Sequence, residues 1–357
     1  LTTGFGGGNL KLDMNKPKIA INGFGRIGRV ALRTWWERYR DDVDLVVINT
    51  SGSMDTVGWA HLLKYDSVYG RFPAKIDVIE AKKGEEIGRI KVGSFSIPLL
   101  AQRDPEKIRW RDYEVEIVLE CTGVFCDRSA ESHFKGGAKK VIISAPRKDE
   151  TIPTYIAGVN LDLYKGENLI SNGSCTTNCM APIVKLIDQK FGFEECIATT
   201  IHAYTSTQNI VDGSHKDLRR ARAAGQNIVP TGTGAAKAVA AAYPEVKGRF
   251  AASAIRVPVV CGSYSEFVFR LKRGTTVDEI NSVIIEAAGD KLVGIVKPSY
   301  EPLVSSDIIG NSASAIVDLP LTQVISDEMV HMGAWYDNEY AYSCRLVEMA
   351  AKIARYK

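Results

Sequence analysis

One stretch limits the choice of fold more than any other: KIAINGFGRIGRVALRTWW, Lys18 to Trp36. A short apolar run leads straight into Gly23, Gly25 and Gly28, spaced G-x-G-x-x-G, and these open a helical pattern. The first glycine permits a tight turn, the second lets backbone approach a pyrophosphate, and the third lets helix and strand pack closely. The unpaired N–H groups of the helix then face the phosphates. Alone, the spacing describes any glycine-rich turn. With a strand before it and a helix after it, it favours a dinucleotide cofactor.

From Lys18 to Ser144, apolar runs (DLVVINT, VEIVLECTG, KKVIISAP) alternate with helical patterns (RIGRVALRTWWERY, SAESHFKGGA). Continuous apolar strands separated by helices indicate a parallel sheet covered on both faces. After Cys175 the texture changes. PIVKLIDQKFG reads as a helix closed by Gly192, with Pro182 better suited to an early turn than to a helix interior. CIATTIHAYTS, YSEFVFRLKR, SASAIVDL and MVHMGAWYD read as strands, and TVDEINSVIIEAAG as a helix capped by Thr276 and stopped by Gly289. The expected fold class is therefore α/β: a Rossmann-type doubly wound parallel sheet domain over residues 17–174 and an α+β catalytic domain with a mixed, mostly antiparallel sheet over 175–337. Residues 338–357 form a C-terminal helix expected to pack back on the first domain. Residues 1–16, Gly-rich and patternless, read as a disordered arm or expression remnant.

Composition bounds the partners. A formal net charge of +3 over 357 residues gives no reason to expect nucleic acid or a membrane surface. Seven cysteines, an odd number scattered along the chain without an export signal, suggest free thiols in a reducing, cytoplasmic setting. Cys175 and Cys179, four apart in SNGSCTTNCM, are poorly aimed for a disulfide, and no Cys/His pairing has zinc spacing, so no metal is expected.

Cys175 instead reads as a nucleophile. It opens a helix, where unpaired N–H groups and the positive end of the dipole favour thiolate, and capping residues flank it. Cys179 fits a buried thiol behind it. The base must come from elsewhere in the chain. Of five histidines, His61 and His133 sit in helical patterns, His331 in a late strand and His215 in a basic loop. His202, in TTIHAYTS at a strand end followed by hydroxyls, is the candidate, although a lone strand-end histidine is more commonly structural. Hydroxyl and basic clusters at Thr205, Thr207, Thr233, Gly234, Arg220 and Arg256 suit phosphate oxygens.

The end of the second strand bears on the cofactor. Dinucleotide folds place a carboxylate there for the adenosine ribose. Here Asn49, Thr50 and Ser51 stand in its place, with Asp55 further on. Without that carboxylate a 2′-phosphate meets less repulsion, which leans towards NADP; a plain polar loop is the other reading.

INGFGRIGR, HLLKYDSVYGRF, SCTTNC, TTIHAYTS, KDLRRARAA, TGTGAAKAV, IRVP and WYDNEYAYS together resemble the phosphorylating glyceraldehyde-3-phosphate dehydrogenases, over nearly the whole chain after the arm. The resemblance implies an oxidoreductase that takes a phosphorylated aldehyde, inorganic phosphate and NADP or NAD to an acyl phosphate through a cysteine thioester. It implies Cys175 as nucleophile and His202 as base. Thr205, Thr207 and Arg256 would hold the substrate's C3 phosphate. Ser174, Thr176, Thr233 and Gly234 would hold the attacking phosphate, with Arg220 a further anion ligand. Cofactor contacts would include Gly23, Gly25, Arg26, Ile27, Gly28, Arg103, Thr122, Gly123 and Ser144, with Asn338 orienting the nicotinamide carboxamide and Tyr342 nearby. It also implies a homotetramer, in which the loop around Ser214 nears a neighbour's cofactor.

Two departures favour NADP or dual use. NAD-specific members carry an acid where Thr50 stands and Leu-Pro where Gly213 and Ser214 stand; Ser51 and Ser214 can bond a 2′-phosphate instead. VVCGSYSEF also departs from the usual family strand, with no evident function. Two other readings differ in outcome. An erythrose-4-phosphate dehydrogenase would turn over without inorganic phosphate, and a redox-sensing or interaction protein using Cys175 would form no NAD(P)H.

Overall fold

The computed structural model describes residues 16–81 and 85–356, so most of the expected N-terminal arm lies outside the described residues. The first sheet runs in the order Leu169–Ser171, Lys140–Ile143, Ile117–Glu120, Lys18–Asn22, Asp44–Asn49, Phe95–Leu100, Glu86–Val92, Ile76–Glu80. The first six strands are parallel to one another. Their continuous apolar character follows from burial on both faces: Ile19, Ile21 and Leu119 join one core, while Ala20, Val47 and Val118 join another on the opposite side. The order of strands reverses between Lys18–Asn22 and Ile117–Glu120, which opens a crevice at their C-terminal ends.

Two details differ from the sequence reading. The outer strands Glu86–Val92 and Ile76–Glu80 are antiparallel, because Gly93 (φ +58°) turns the chain directly into Phe95–Leu100, too short a link for a parallel crossover. The first helix is α-helical only over Arg26–Thr34 and widens to a π-helix over Trp35–Tyr39. Successive side chains of an α-helix diverge by about 100°, and the wider turn lets both neighbouring indoles meet Phe95, at 5.2 Å for Trp35 and 5.8 Å for Trp36.

The second sheet runs Val229–Thr231, Phe250–Val257, Phe193–Ala203, Ser263–Leu271, Met329–Tyr336, Ala315–Asp318, Val296–Ser299, with Gln323–Ile325 also on Met329–Tyr336. Phe193–Ala203 is parallel to Phe250–Val257, and Val296–Ser299 to Ala315–Asp318; the other pairings are antiparallel. Helices Cys175–Phe191, Ala235–Ala242 and Val277–Gly289 pack against this sheet. Thr276 caps the last of these through the Glu279 N–H. Pro182 lies in the interior of Cys175–Phe191, not in its first turn. It is buried, and its missing N–H leaves a gap in the helix ladder that the surrounding core tolerates.

The helix Tyr340–Ala354 returns to the first domain. Tyr340 and Cys344 pack on Val30, and Tyr340 donates to Glu37 at 2.7 Å. The chain just before it is tied to both domains: Asp337 accepts from Tyr69 Oη (2.9 Å) and from Cys261 Sγ (3.3 Å).

Candidate active site

Cys175 is the first residue of its helix. Ser174 caps it: its hydroxyl accepts from the Thr177 N–H (3.1 Å), and the Thr177 hydroxyl accepts from the Ser174 N–H (3.2 Å), a reciprocal capping box. Gly173 enters the turn at φ +60°. Tyr342 donates to the Gly173 carbonyl (3.1 Å), so its hydroxyl supports this turn from below.

His202 is the penultimate residue of the strand Phe193–Ala203, and its Nε2 lies 3.4 Å from Cys175 Sγ. Parallel pairing sets His202 in register with Arg256. Arg256 Nη1 stands 2.6 Å from His202 Nδ1 and donates to the Ala203 carbonyl at 2.9 Å, while Nδ1 is itself 2.6 Å from that carbonyl. These contacts compete. A neutral imidazole nitrogen accepts from a guanidinium or donates to a carbonyl, not both.

The electrostatics correct one expectation. Burial pushes the Cys175 thiol above its ordinary value, and this outweighs the opposing pull of the Arg256 charge and the Thr176 hydroxyl and N–H. Burial and the Arg256 charge lower His202 to about 3. Both shifts favour a neutral thiol beside a neutral imidazole. Helix position alone does not make the thiolate; the His202 imidazole stands within hydrogen-bond range of the sulfur.

Around this pair, Thr205 and Thr207 hydroxyls meet at 2.9 Å, and Arg220 reaches Thr207 (3.5 Å) and Thr231 (2.9 Å). Thr233 and Gly234 lead into the helix Ala235–Ala242, where the Thr233 hydroxyl accepts from the Ala235 N–H (3.1 Å). The strand before them, Val229–Thr231, pairs with Phe250–Val257 and sets Val229 opposite Arg256. Two hydroxyls expected to bind phosphate have protein partners: Ser174 caps the helix, and Thr176 bonds Tyr336 Oη at 3.0 Å. Tyr336 escaped the sequence reading. Its hydroxyl also bonds Thr200 (2.7 Å), and its ring lies edge-on to His202. The aromatic cluster WYDNEY was the available signal, but strand aromatics are usually core.

The glycine fingerprint is accounted for atom by atom. Gly23 takes φ +96°, where a Cβ would lie 2.8 Å from Thr122 N; a Cβ on Gly28 would lie 2.1 Å from the Gly23 carbonyl; Gly25 faces open space, as a phosphate seat requires. These residues fit a dinucleotide. Arg26 directs its guanidinium away, to Asp66 and Glu339 (2.5 Å each), so it and Ile27 can serve a phosphate only through backbone. Thr122 is fixed by Glu120, which accepts from its N–H at 2.8 Å and from its hydroxyl. Gly123 adopts φ +70° beside it, and the Ser144 N–H donates to the Glu120 carbonyl (3.0 Å). Asn49 bonds Asn22 (2.7 Å) and Gln102. Thr50 is buried, its hydroxyl spent on the Leu100 carbonyl (2.9 Å). Asp55 caps the helix Thr56–Lys64 through the Gly58 N–H (2.7 Å). Ser51 is exposed, and Arg103 Nε donates to its carbonyl at 3.2 Å. Ser214 lies on the exposed loop after Ala203. Asn338 accepts from the Gly262 N–H (3.1 Å) and the Ser263 hydroxyl (2.9 Å) through Oδ1. Among the described residues no group of His, Cys, Asp and Glu side chains is arranged to hold a metal ion.

Comparison with known proteins agrees with this geometry. Residues 17–128 match the family model described as glyceraldehyde 3-phosphate dehydrogenase, NAD binding domain, and residues 174–338 match that of the C-terminal domain. The chain is 44% identical over 342 residues to glyceraldehyde-3-phosphate dehydrogenase A, chloroplastic, of Chlamydomonas reinhardtii, covering 95% of this chain and 89% of that one. It is 46% identical over 357 residues to the chloroplastic A protein of Nicotiana tabacum, covering 99% and 89%. It is 45% identical over 342 residues to glyceraldehyde-3-phosphate dehydrogenase 2 of Bacillus subtilis, covering 95% and 97%.

Proposed function

The chain belongs to the glyceraldehyde-3-phosphate dehydrogenase family, and we propose that Cys175 is its nucleophile, His202 its base and NADP its preferred cofactor. It is an oxidoreductase that converts glyceraldehyde 3-phosphate and inorganic phosphate to 1,3-bisphosphoglycerate while reducing a nicotinamide dinucleotide. The 3.4 Å pair of Cys175 Sγ and His202 Nε2 carries the catalytic reading.

In that reading His202 takes the Cys175 proton as the sulfur attacks the aldehyde carbon. The oxyanion is met by the Cys175 N–H at the helix terminus and by protonated Nε2, which returns its proton to give a hydroxyl. His202 then removes that hydroxyl proton as the C1 hydride leaves, and a thioester remains on Cys175. The bound nicotinamide supplies the hydride acceptor. Phosphate held near Thr233 and Gly234 attacks the thioester carbonyl, and Cys175 departs as thiolate. Arg256 has a second part to play. When a C3 phosphate draws its guanidinium towards Thr205 and Thr207, His202 Nδ1–H is free to donate to the Ala203 carbonyl. Nε2 then faces the sulfur as an acceptor, the state a base requires.

For the cofactor, the strand end lacks a carboxylate, and Arg103 at Ser51 offers terminal guanidinium nitrogens where a 2′-phosphate would lie. Arg103→Ala should raise KM for NADP about tenfold, the scale of a lost charge-assisted bond, and leave KM for NAD unchanged. Steady-state kinetics with both cofactors decides it: a wild-type preference for NAD, or equal effects of the variant on both, would overturn the assignment.

A homotetramer accounts for the exposed apolar side chains on the loop after Ala203. Ile210 is 85% exposed, Leu218 81% and Ile228 71%, more than a lone chain usually leaves in water. Sedimentation equilibrium should give four chains per particle; a monomer would refute this.

A further inference from the structure

The reaction scheme gives the segment Val259 to Phe267 no part. Its conformation is nonetheless tightly specified. Gly262 has φ +90°, and a Cβ there would stand 2.2 Å from the Ser305 carbonyl oxygen, so only glycine fits. Two neighbouring donors from this turn converge on one atom: the Gly262 N–H (3.1 Å) and the Ser263 hydroxyl (2.9 Å) both donate to Asn338 Oδ1. A peptide N–H only donates, so it fixes the sense of the Asn338 amide: oxygen towards Gly262, nitrogen away from it. The same Ser263 oxygen accepts from the Ala203 N–H at 3.1 Å.

The residues on either side are pinned as well. Asp337 accepts from Cys261 Sγ (3.3 Å), Tyr69 Oη (2.9 Å) and the backbone N–H groups of Glu339 (2.8 Å) and Tyr340 (2.7 Å). The turn that presents Asn338 cannot pivot on its own. Ser263 is 1% exposed, so its hydroxyl has no water to replace either partner.

We propose that Ser263 is a positioning residue for hydride transfer. One buried hydroxyl couples the strand carrying His202 to the amide of Asn338, and so holds base and nicotinamide ring in mutual register. The inference rests on the reading of Asn338 as the group that orients the nicotinamide carboxamide. Its physical content is that Ser263 fixes both the distance of hydride transfer and the ring face presented to the substrate. A purely structural serine would influence only stability.

The test uses the full-length enzyme with NADP and glyceraldehyde 3-phosphate deuterated at C1. Ser263→Ala should lower kcat about tenfold, the rate equivalent of one buried hydrogen bond, with KM for NADP changed by less than about twofold. The primary isotope effect on kcat should rise, because hydride transfer becomes rate-limiting. Deuterium should appear on both faces of nicotinamide C4, where the wild type labels one. Should the alanine variant not fold, Ser263→Cys adds little volume and keeps a weak S–H donor, and it should shift kcat and isotope effect in the same direction by less. Wild-type kcat, isotope effect and single-face labelling in whichever variant folds would overturn the proposal. Asn338→Ala separates the two layers of the argument. If it leaves labelling and kcat intact, the reading of Asn338 fails; if it impairs both while the Ser263 variant does not, only the role of Ser263 fails.

Discussion

Cys175→Ser should lose at least about a thousandfold in kcat while binding the cofactor with wild-type affinity. A serine hydroxyl at this site ionises far less readily than a thiol, and no other nucleophile can carry the acyl group. Cys179 cannot substitute: it is fully buried in the core, and burial holds its thiol well above the ordinary range. The fold should survive, since Ser is slightly smaller and the helix is capped by Ser174, not by Cys175. Retained cofactor binding with lost turnover, measured by fluorescence titration and NADPH formation, is the expected pair of results. Activity within tenfold of wild type would remove Cys175 from the scheme.

His202→Asn should lower kcat by roughly a hundredfold to ten-thousandfold, the range for a lost general base. The variant has a second signature in pH. His202 is lowered to about 3 in the folded protein, against an ordinary value near 6.5. Between those values the unfolded chain binds a proton that the folded chain refuses, so the stability contributed by neutral His202 is fully present above about pH 6.5 and is lost as pH falls towards 3. The wild type should therefore lose more stability than His202→Asn on acidification through that window. Thermal melts at stepped pH check the sign; identical pH dependence in the two proteins would show that His202 is not held neutral by burial.

Much of this site was legible in the sequence, for local reasons. The roles of Gly23, Gly25 and Gly28 follow from a spacing that only a strand–turn–helix unit makes sense of, and each glycine meets the constraint its position implies. Cys175 and the helix behind it are announced by Ser174 and Thr177, which form the capping box. Other features depend on contacts distant in sequence. The protonation state of Cys175 could not be read from its helix position, because burial outweighs the Arg256 charge and the local hydrogen bonds. Thr50, read as part of the cofactor's 2′ end, turns inward to Leu100, and the guanidinium beside Ser51 comes from Arg103, fifty-two residues away. Ser263 and Tyr336 went unassigned because a Ser or Tyr in an alternating strand pattern has an ordinary place in a sheet. Only the register of Ser263 with Tyr336 across paired strands brings both to the active site. Pro182 misled because propensity predicts where proline is comfortable, and a well-packed core can overrule it.

The covalent step can be caught directly. Enzyme mixed with glyceraldehyde 3-phosphate and NADP in the absence of inorganic phosphate should accumulate an acyl adduct, and peptide mapping should find it on Cys175 alone, sensitive to hydroxylamine and discharged as acyl phosphate when phosphate is added. An adduct on another cysteine, or steady turnover to acyl phosphate with no adduct formed at all, would contradict a thioester mechanism at this sulfur.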